Sequence, residues 1–303
     1  MAEVVMSENL VQLDNSPSGV PMNLLELVDR LDQATQWLSS WGFNISPTRV
    51  AKYKQYLLQA VGKEVSVLEY ESIMYDISEL FFISNTLSDY QGAALEPLLG
   101  DLIKGKVRKG LKVGDERARN FEFELKVIAQ YYKLGFELDL STNADLIVKD
   151  KLGSQLLIEC KRLTSAKKLG KRIKEAAKQL HSKYQYCSNP LQTRGLIFLD
   201  VTNLVNPSFS IIRANASNEA RAFLGRKLAD FASKNEELWD DLRDLRTWGV
   251  VLYCSAPTKI NEELSTISRV FHLDLLVSNQ IEQDKAHAFI KHFIEPDNNL
   301  YSN

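Results

Sequence analysis

The chain has 303 residues and a mass of 34.4 kDa, room for two domains. With 45% hydrophobic and 25% charged residues, and only 14 Gly and 8 Pro, it can build a sizeable core, which excludes collagen-like and low-complexity architectures. Lys+Arg 37 against Asp+Glu 39 leaves a net charge of −2, so a uniformly basic nucleic-acid coat is excluded and any basic surface must be local.

Residues 1–21 read as a flexible tail. They begin MAEVVMSENL, with no apolar signal core, and include the run Asn15-Ser-Pro-Ser-Gly19. A helix follows from Asn23, with Leu24, Val28, Leu31, Leu38 and Trp41 on one stripe and Gly42 as its stop. Ser46 predicts an N-cap and Pro47 the first position of a second helix, whose apolar face is Val50, Tyr53, Leu57 and Val61. Further helical stretches over 67–83 and 91–103 make 22–103 an all-helical N-terminal domain, with Phe81 and Phe82 in its core.

Residues 104–115 read as a basic linker carrying Lys104, Lys106, Arg108, Lys109 and Lys112. Beyond it, 116–303 alternates helix and strand. A helix over 116–134 ends at Gly135, and strands over 136–140, 144–149 and 155–161 follow. A basic helix over 167–184, a strand over 195–201, a helix over 218–235 and strands over 249–254 and 270–277 complete the pattern. The expected fold class is α/β (α+β): a mixed β-sheet flanked by helices, preceded by the helical domain. Cys160, Cys187 and Cys254 are far apart with no CxxC spacing, which argues against a disulfide scaffold or zinc site and for a reducing, cytoplasmic setting. No apolar run is long enough to span a membrane.

The chemistry concentrates in two short segments, Asn143-Ala-Asp145-Leu-Ile-Val and Leu156-Leu-Ile-Glu159-Cys160-Lys161-Arg162. Side chains alternate along a strand, so Glu159 and Lys161 project to one face and Cys160 to the other. Asp145 opens the neighbouring strand of the same hairpin and comes close to Glu159. Two carboxylates about 4 Å apart repel by roughly 4 kcal/mol at an effective dielectric of about 20. A divalent cation removes that cost, and a site of few hard oxygen ligands suits Mg²⁺, with Mn²⁺ as a substitute. Lys161, two residues from a metal-bound Glu159, could then position a water and stabilise charge developing on a phosphate, the chemistry of phosphodiester hydrolysis.

These residues resemble the PD-(D/E)XK nuclease superfamily, whose restriction-endonuclease-like core runs helix, three strands, helix, strand. Its motif places an Asp at the start of the second strand and Glu-x-Lys on the third, matched here by Asp145 and Glu159-Cys160-Lys161. Ala144 stands where many members have Pro. The resemblance covers about 117–202, under a third of the chain. It implies Asp145, Glu159 and the Cys160 carbonyl as metal ligands and Lys161 as the catalytic ammonium. It also implies a carboxylate on the preceding helix, FELKVIAQYYKLGF. Glu122 and Glu124 both flank the buried stripe of that helix at similar angles, and the spacing to Gly135 usual in the family favours Glu124.

From Lys161 to Lys183 there are nine Lys/Arg and one acid, Glu175. As a charge run alone this reads as a solvated helix face. Beside the Glu-x-Lys strand it reads as a phosphate-contacting surface of Arg162, Lys167, Lys168, Lys171 and Arg172, with Gln179 near the site as in some branches of the family. His181 and Cys187 lack a second ligand pair and read as structural. Gly100 to Lys106 matches most of a Walker A loop, but Val107 replaces the Ser/Thr and no strand precedes it. The expectation is thus a Mg²⁺-dependent nuclease acting on DNA rather than RNA, as an effector of a defence or repair system. The helical domain would serve a homodimer or a partner protein. The alternative is an inactive nucleic-acid-binding or assembly subunit of the same fold.

Overall fold

A computed structural model describes residues 3–5, 10–12, 24–60, 64–105, 116–140, 144–150, 153–184, 192–207, 210–240, 242, 246–261 and 264–294. In chain order the elements are β1 (Glu3–Val5), β2 (Leu10–Gln12), α1 (Leu24–Ser40), α2 (Arg49–Ala60), β3 (Glu64–Ser66), α3 (Val67–Thr86), α4 (Glu96–Ile103) and α5 (Glu116–Lys133). Then come β4 (Glu137–Asp139), β5 (Leu146–Lys149), β6 (Gln155–Arg162), α6 (Leu169–Tyr184), β7 (Thr193–Asp200) and α7 (Thr202–Val205). The last are β8 (Ile211–Ala214), α8 (Ser217–Lys234), α9 (Glu237–Asp240), β9 (Thr247–Ile260), β10 (Leu264–Leu275) and α10 (Gln280–Ile294). Among the described residues no helix is long and apolar enough to cross a membrane.

Two compact units form from non-consecutive segments: Met1–Ala129, Ser208–Ala220 and Ala256–Ser268 in the first, Gln130–Pro207, Arg221–Ser255 and Arg269–Asn303 in the second. The boundary between units falls inside α5 rather than in the basic linker, of which residues 106–115 lie outside the described residues.

In the first unit, Leu27, Leu31, Ala34 and Leu38 of α1 are fully buried at the i, i+4, i+7, i+11 spacing of one helical face. Gly42, at φ +83°, ends α1: its N–H donates to Ser39 O and Phe43 N–H to Leu38 O, the paired bonds of a Schellman stop. The start of α2 differs from the expected Ser46 cap. Ser46 and Pro47 form a turn, and the Thr48 hydroxyl accepts from Val50 N–H at 3.2 Å. Every residue from 70 to 80 of α3 is buried, polar ones included. The segment read as a tail contributes strands: β1 pairs antiparallel with β8, and β2 with β3. β8 runs parallel to the end of β9, Ile212 opposite Thr258. Pairings this distant in sequence are invisible to local periodicity.

The second unit carries a mixed sheet in the order β4-β5-β6-β7-β9, with β10 also on β9. β4–β5 and β5–β6 are antiparallel, while β6–β7 and β7–β9 are parallel. Three antiparallel strands, a helix and a parallel strand follow the order read from the sequence. Helices cover the sheet on both faces. On one, Tyr131 of α5 meets Phe198 edge-on, and Phe289 of α10 stacks on Phe136. On the other, the buried stripe Leu169, Ile173, Ala176, Leu180 and Tyr184 of α6 packs on β6 and β7. Gly195 is required there, because a Cβ would collide with the Tyr184 hydroxyl. β9 runs on past 254 to Ile260, and β10 starts at Leu264 rather than 270 and ends at Leu275, because the polar residues of 255–260 and 264–269 mask the strand pattern.

Candidate active site

The β5–β6 hairpin places Asp145 and Glu159. Leu146 pairs with Ile158, so Asp145, one residue earlier, falls opposite Glu159 one residue later. Directly opposed residues of an antiparallel pair share a face. Asp145 is anchored by its own hairpin: the Cys160 N–H donates to its Oδ2 at 2.7 Å. Glu159 has no exposed surface, in a strand whose residues Leu156 to Cys160 are all buried.

Lys161 lies between the two carboxylates. Its Nζ is 3.2 Å from Glu159 Oε2, 3.7 Å from Asp145 Oδ2 and 3.1 Å from the Cys160 carbonyl. Lys183, near the end of α6, donates to the other Glu159 oxygen, Oε1. The sequence reading missed this second lysine. No local pattern points to it, since Lys183 reaches Glu159 from a helix 24 residues along the chain.

Burial pushes the Glu159 carboxyl above its ordinary value and the Asp145 charge adds to this, while Lys161 and Lys183 oppose both. For Lys161, burial alone would lower the ammonium, and the charges of Asp145 and Glu159 outweigh it to give a net rise. The cluster is therefore held together by mutual neutralisation.

Cys160 faces the opposite side of the sheet, paired with Phe198, and is a buried small side chain. Of the helix carboxylates, Glu122 is committed within the first unit: its Oε2 accepts from Arg49 Nη2 at 3.0 Å and Arg119 Nη1 at 2.7 Å. Glu124 is half-buried in the part of α5 belonging to the first unit, whereas Asp145, Glu159 and Lys161 belong to the second.

The basic segment divides. Lys167, Lys168, Lys171 and Gln179 are exposed, and Arg172 is half-buried and paired with Glu175 at 3.0 Å. Lys171, Lys174 and Lys178 follow one another along the solvent face of α6. The Arg162 side chain is 5% exposed and its Nε lies 3.3 Å from Asp200 Oδ2. Alternation explains this, because Arg162 projects to the face opposite Lys161. His181 is exposed and Cys187 lies outside the described residues.

As a cation site, Asp145, Glu159 and the Cys160 carbonyl offer hard oxygen donors of the kind Mg²⁺ accepts alongside water. No group of three or more His, Cys, Asp or Glu side chains poised to ligate a metal occurs among the described residues. No family model matches this chain, and neither the curated proteins nor the solved structures contain a match to it.

Proposed function

We propose that this chain is a Mg²⁺-dependent nuclease of the PD-(D/E)XK kind, acting on DNA. The observation that carries the reading is the placement of Asp145 opposite Glu159 with the Lys161 ammonium between them. Asp145, Glu159 and the Cys160 carbonyl would hold the ion, which when bound supplies a polarised phosphate and a more acidic water. Lys161, already charged and aimed at both carboxylates, orients the attacking water and offsets charge developing on the phosphate. Glu122 is committed to Arg49 and Arg119 within the first unit and takes no part in this reading. The exposed lysines of α6 supply sequence-independent phosphate contacts.

The test incubates supercoiled and linear DNA with wild type and Lys161→Ala in Mg²⁺, Mn²⁺ or EDTA. Wild type should give metal-dependent products, and Lys161→Ala should be at least about 100-fold slower. Lys183 still partners Glu159 in that variant, so it should fold, with a melting temperature lowered by the loss of the ammonium beside Asp145 and measured alongside. Equal cleavage by the variant removes Lys161 from the chemistry.

A second reading rests on a specific feature: both Glu159 oxygens already accept from ammonium groups. A self-neutralised cluster suits a non-cleaving DNA-binding or assembly subunit. DNA bound without metal-dependent products on DNA or RNA would select it.

A further inference from the structure

Both oxygens of Glu159 are engaged by ammonium groups, Oε2 by Lys161 at 3.2 Å and Oε1 by Lys183. Asp145 and Glu159 carry two negative charges and the two lysines carry two positive ones, so the four side chains cancel. A divalent ion added to that set would bring two further positive charges against two ammonium groups. The Glu159 side chain is 0% exposed and the lysines are 16% and 14% exposed, so water screens this repulsion little. An ion is held by these carboxylates only if one ammonium withdraws.

The two lysines differ in their ability to withdraw. Lys161 shares a strand face with Glu159, and its Nζ is also 3.7 Å from Asp145 Oδ2 and 3.1 Å from the Cys160 carbonyl. The strand therefore keeps it beside both carboxylates. Lys183 comes from a separate element, in the last turn of α6, which ends at Tyr184. It follows Leu180 by three residues, on the border of the buried stripe that packs α6 against β6. Its ammonium rides on a flexible four-carbon stem, and the last-turn carbonyls of a helix, at the negative end of the dipole, offer it another partner.

Given the metal-dependent reading of the hairpin, on which this rests, we propose that Lys183 is a tethered counter-charge on Glu159 Oε1 that withdraws when a divalent ion is held there. Lys183 is then a positioning residue with two effects. It neutralises a carboxylate that burial would otherwise leave stranded, and it lowers the affinity for metal by competing for the same oxygen. Glu159 keeps a counter-charge throughout, from the lysine or from the ion.

The test titrates Mn²⁺ into the full chain without nucleic acid and follows the loss of the free ion's paramagnetic resonance signal. Wild type should bind in the millimolar range, and Lys183→Met about tenfold or more tightly, the effect of removing a charge-assisted competitor. Adding Asp145→Asn to Lys183→Met should reverse the gain, which ties it to this cluster. Lys234→Met, which removes the same charge from an exposed position at the end of α8, should leave the affinity at the wild-type value. A second measurement needs no variant, so it decides the matter if Lys183→Met fails to fold. In wild type, brief acetylation read by mass spectrometry should modify Lys183 several-fold faster in about 10 mM Mn²⁺ than in EDTA. Labelling of Lys183 that metal leaves unchanged, or a gain in Lys234→Met equal to that in Lys183→Met, would overturn the proposal. Equal affinities in wild type and Lys183→Met, lost in Asp145→Asn, would overturn the role of Lys183 and leave the metal-dependent reading standing. Mn²⁺ bound by none of these chains at about 10 mM would overturn both.

Discussion

Glu159 has no exposed surface, and its neighbours along the strand, Leu156, Leu157, Ile158 and Cys160, are apolar and buried. An isolated carboxylate there would cost several kcal/mol, so ammonium partners are obligatory. One of them, Lys161, was legible because it shares Glu159's face two residues on. The other, Lys183, arrives from a helix 24 residues away, and no spacing rule connects them. The same holds for the charges of the first unit. Arg119 donates to Asp76 Oδ1 at 2.6 Å and to Glu122 Oε2 at 2.7 Å, and the Tyr53 hydroxyl donates to Asp76 at 2.7 Å. Burial, the leading cause, pushes the Tyr53 phenol up to about 12. Removing one partner of such a set strands the others. Arg119→Met should therefore lower the urea-unfolding free energy by about 3–5 kcal/mol. Lys54→Met, which breaks the half-exposed pair to Asp32, should cost under about 1 kcal/mol. Similar losses in the two variants would mean that burial does not set the worth of these pairs.

At the scale of elements, stops were easier to read than starts. Gly42 and Gly135 both take positive φ and end α1 and α5, because glycine alone adopts that conformation without strain. The start of α2 was misplaced by two residues, since Ser46 and Thr48 both satisfy capping preferences and only hydrogen bonding chooses between them. α10 was not anticipated, and its docking is carried by Glu282 in its first turn. That carboxylate accepts from Arg194 Nε at 2.7 Å and Trp248 Nε1 at 2.8 Å, with Lys285 Nζ at 3.1 Å. The Arg194 bond, opposed by burial and reinforced by Trp248 and Lys285, lowers its pKa from 4.5 to about 2. Because the native carboxylate holds its charge to lower pH than the unfolded one, this stabilisation is complete above about pH 4.5 and fades as pH falls toward about 2. Glu282→Gln should cost about 1–2 kcal/mol at pH 7, after allowance for partial solvent screening, and the difference from wild type should close near pH 2. A difference that persists undiminished at low pH would assign the docking to hydrogen bonding and packing rather than charge.

For the whole molecule, a net charge of −2 conceals an uneven distribution, with Lys171, Lys174 and Lys178 along the exposed side of α6. If these lysines contact phosphate, replacing all three with Gln in the Lys161→Ala background should reduce the slope of log K against log salt for DNA by about 2–3. An unchanged slope would make them an ordinary solvated face. The mixed sheet flanked by helices and the helical N-terminal region followed from the sequence, as did the sharing of one sheet face by Asp145, Glu159 and Lys161. These depend on the alternation of strands and the periodicity of helices, which act over a hairpin or a few turns. The burial of Arg162 against Asp200, the commitment of Glu122 to Arg49 and Arg119, the pairing of β1 with β8, and the arrival of Lys183 at Glu159 depended on tertiary structure. Each joins residues from separate elements, and such partnerships are selected by how the elements pack, which no local pattern of side chains encodes.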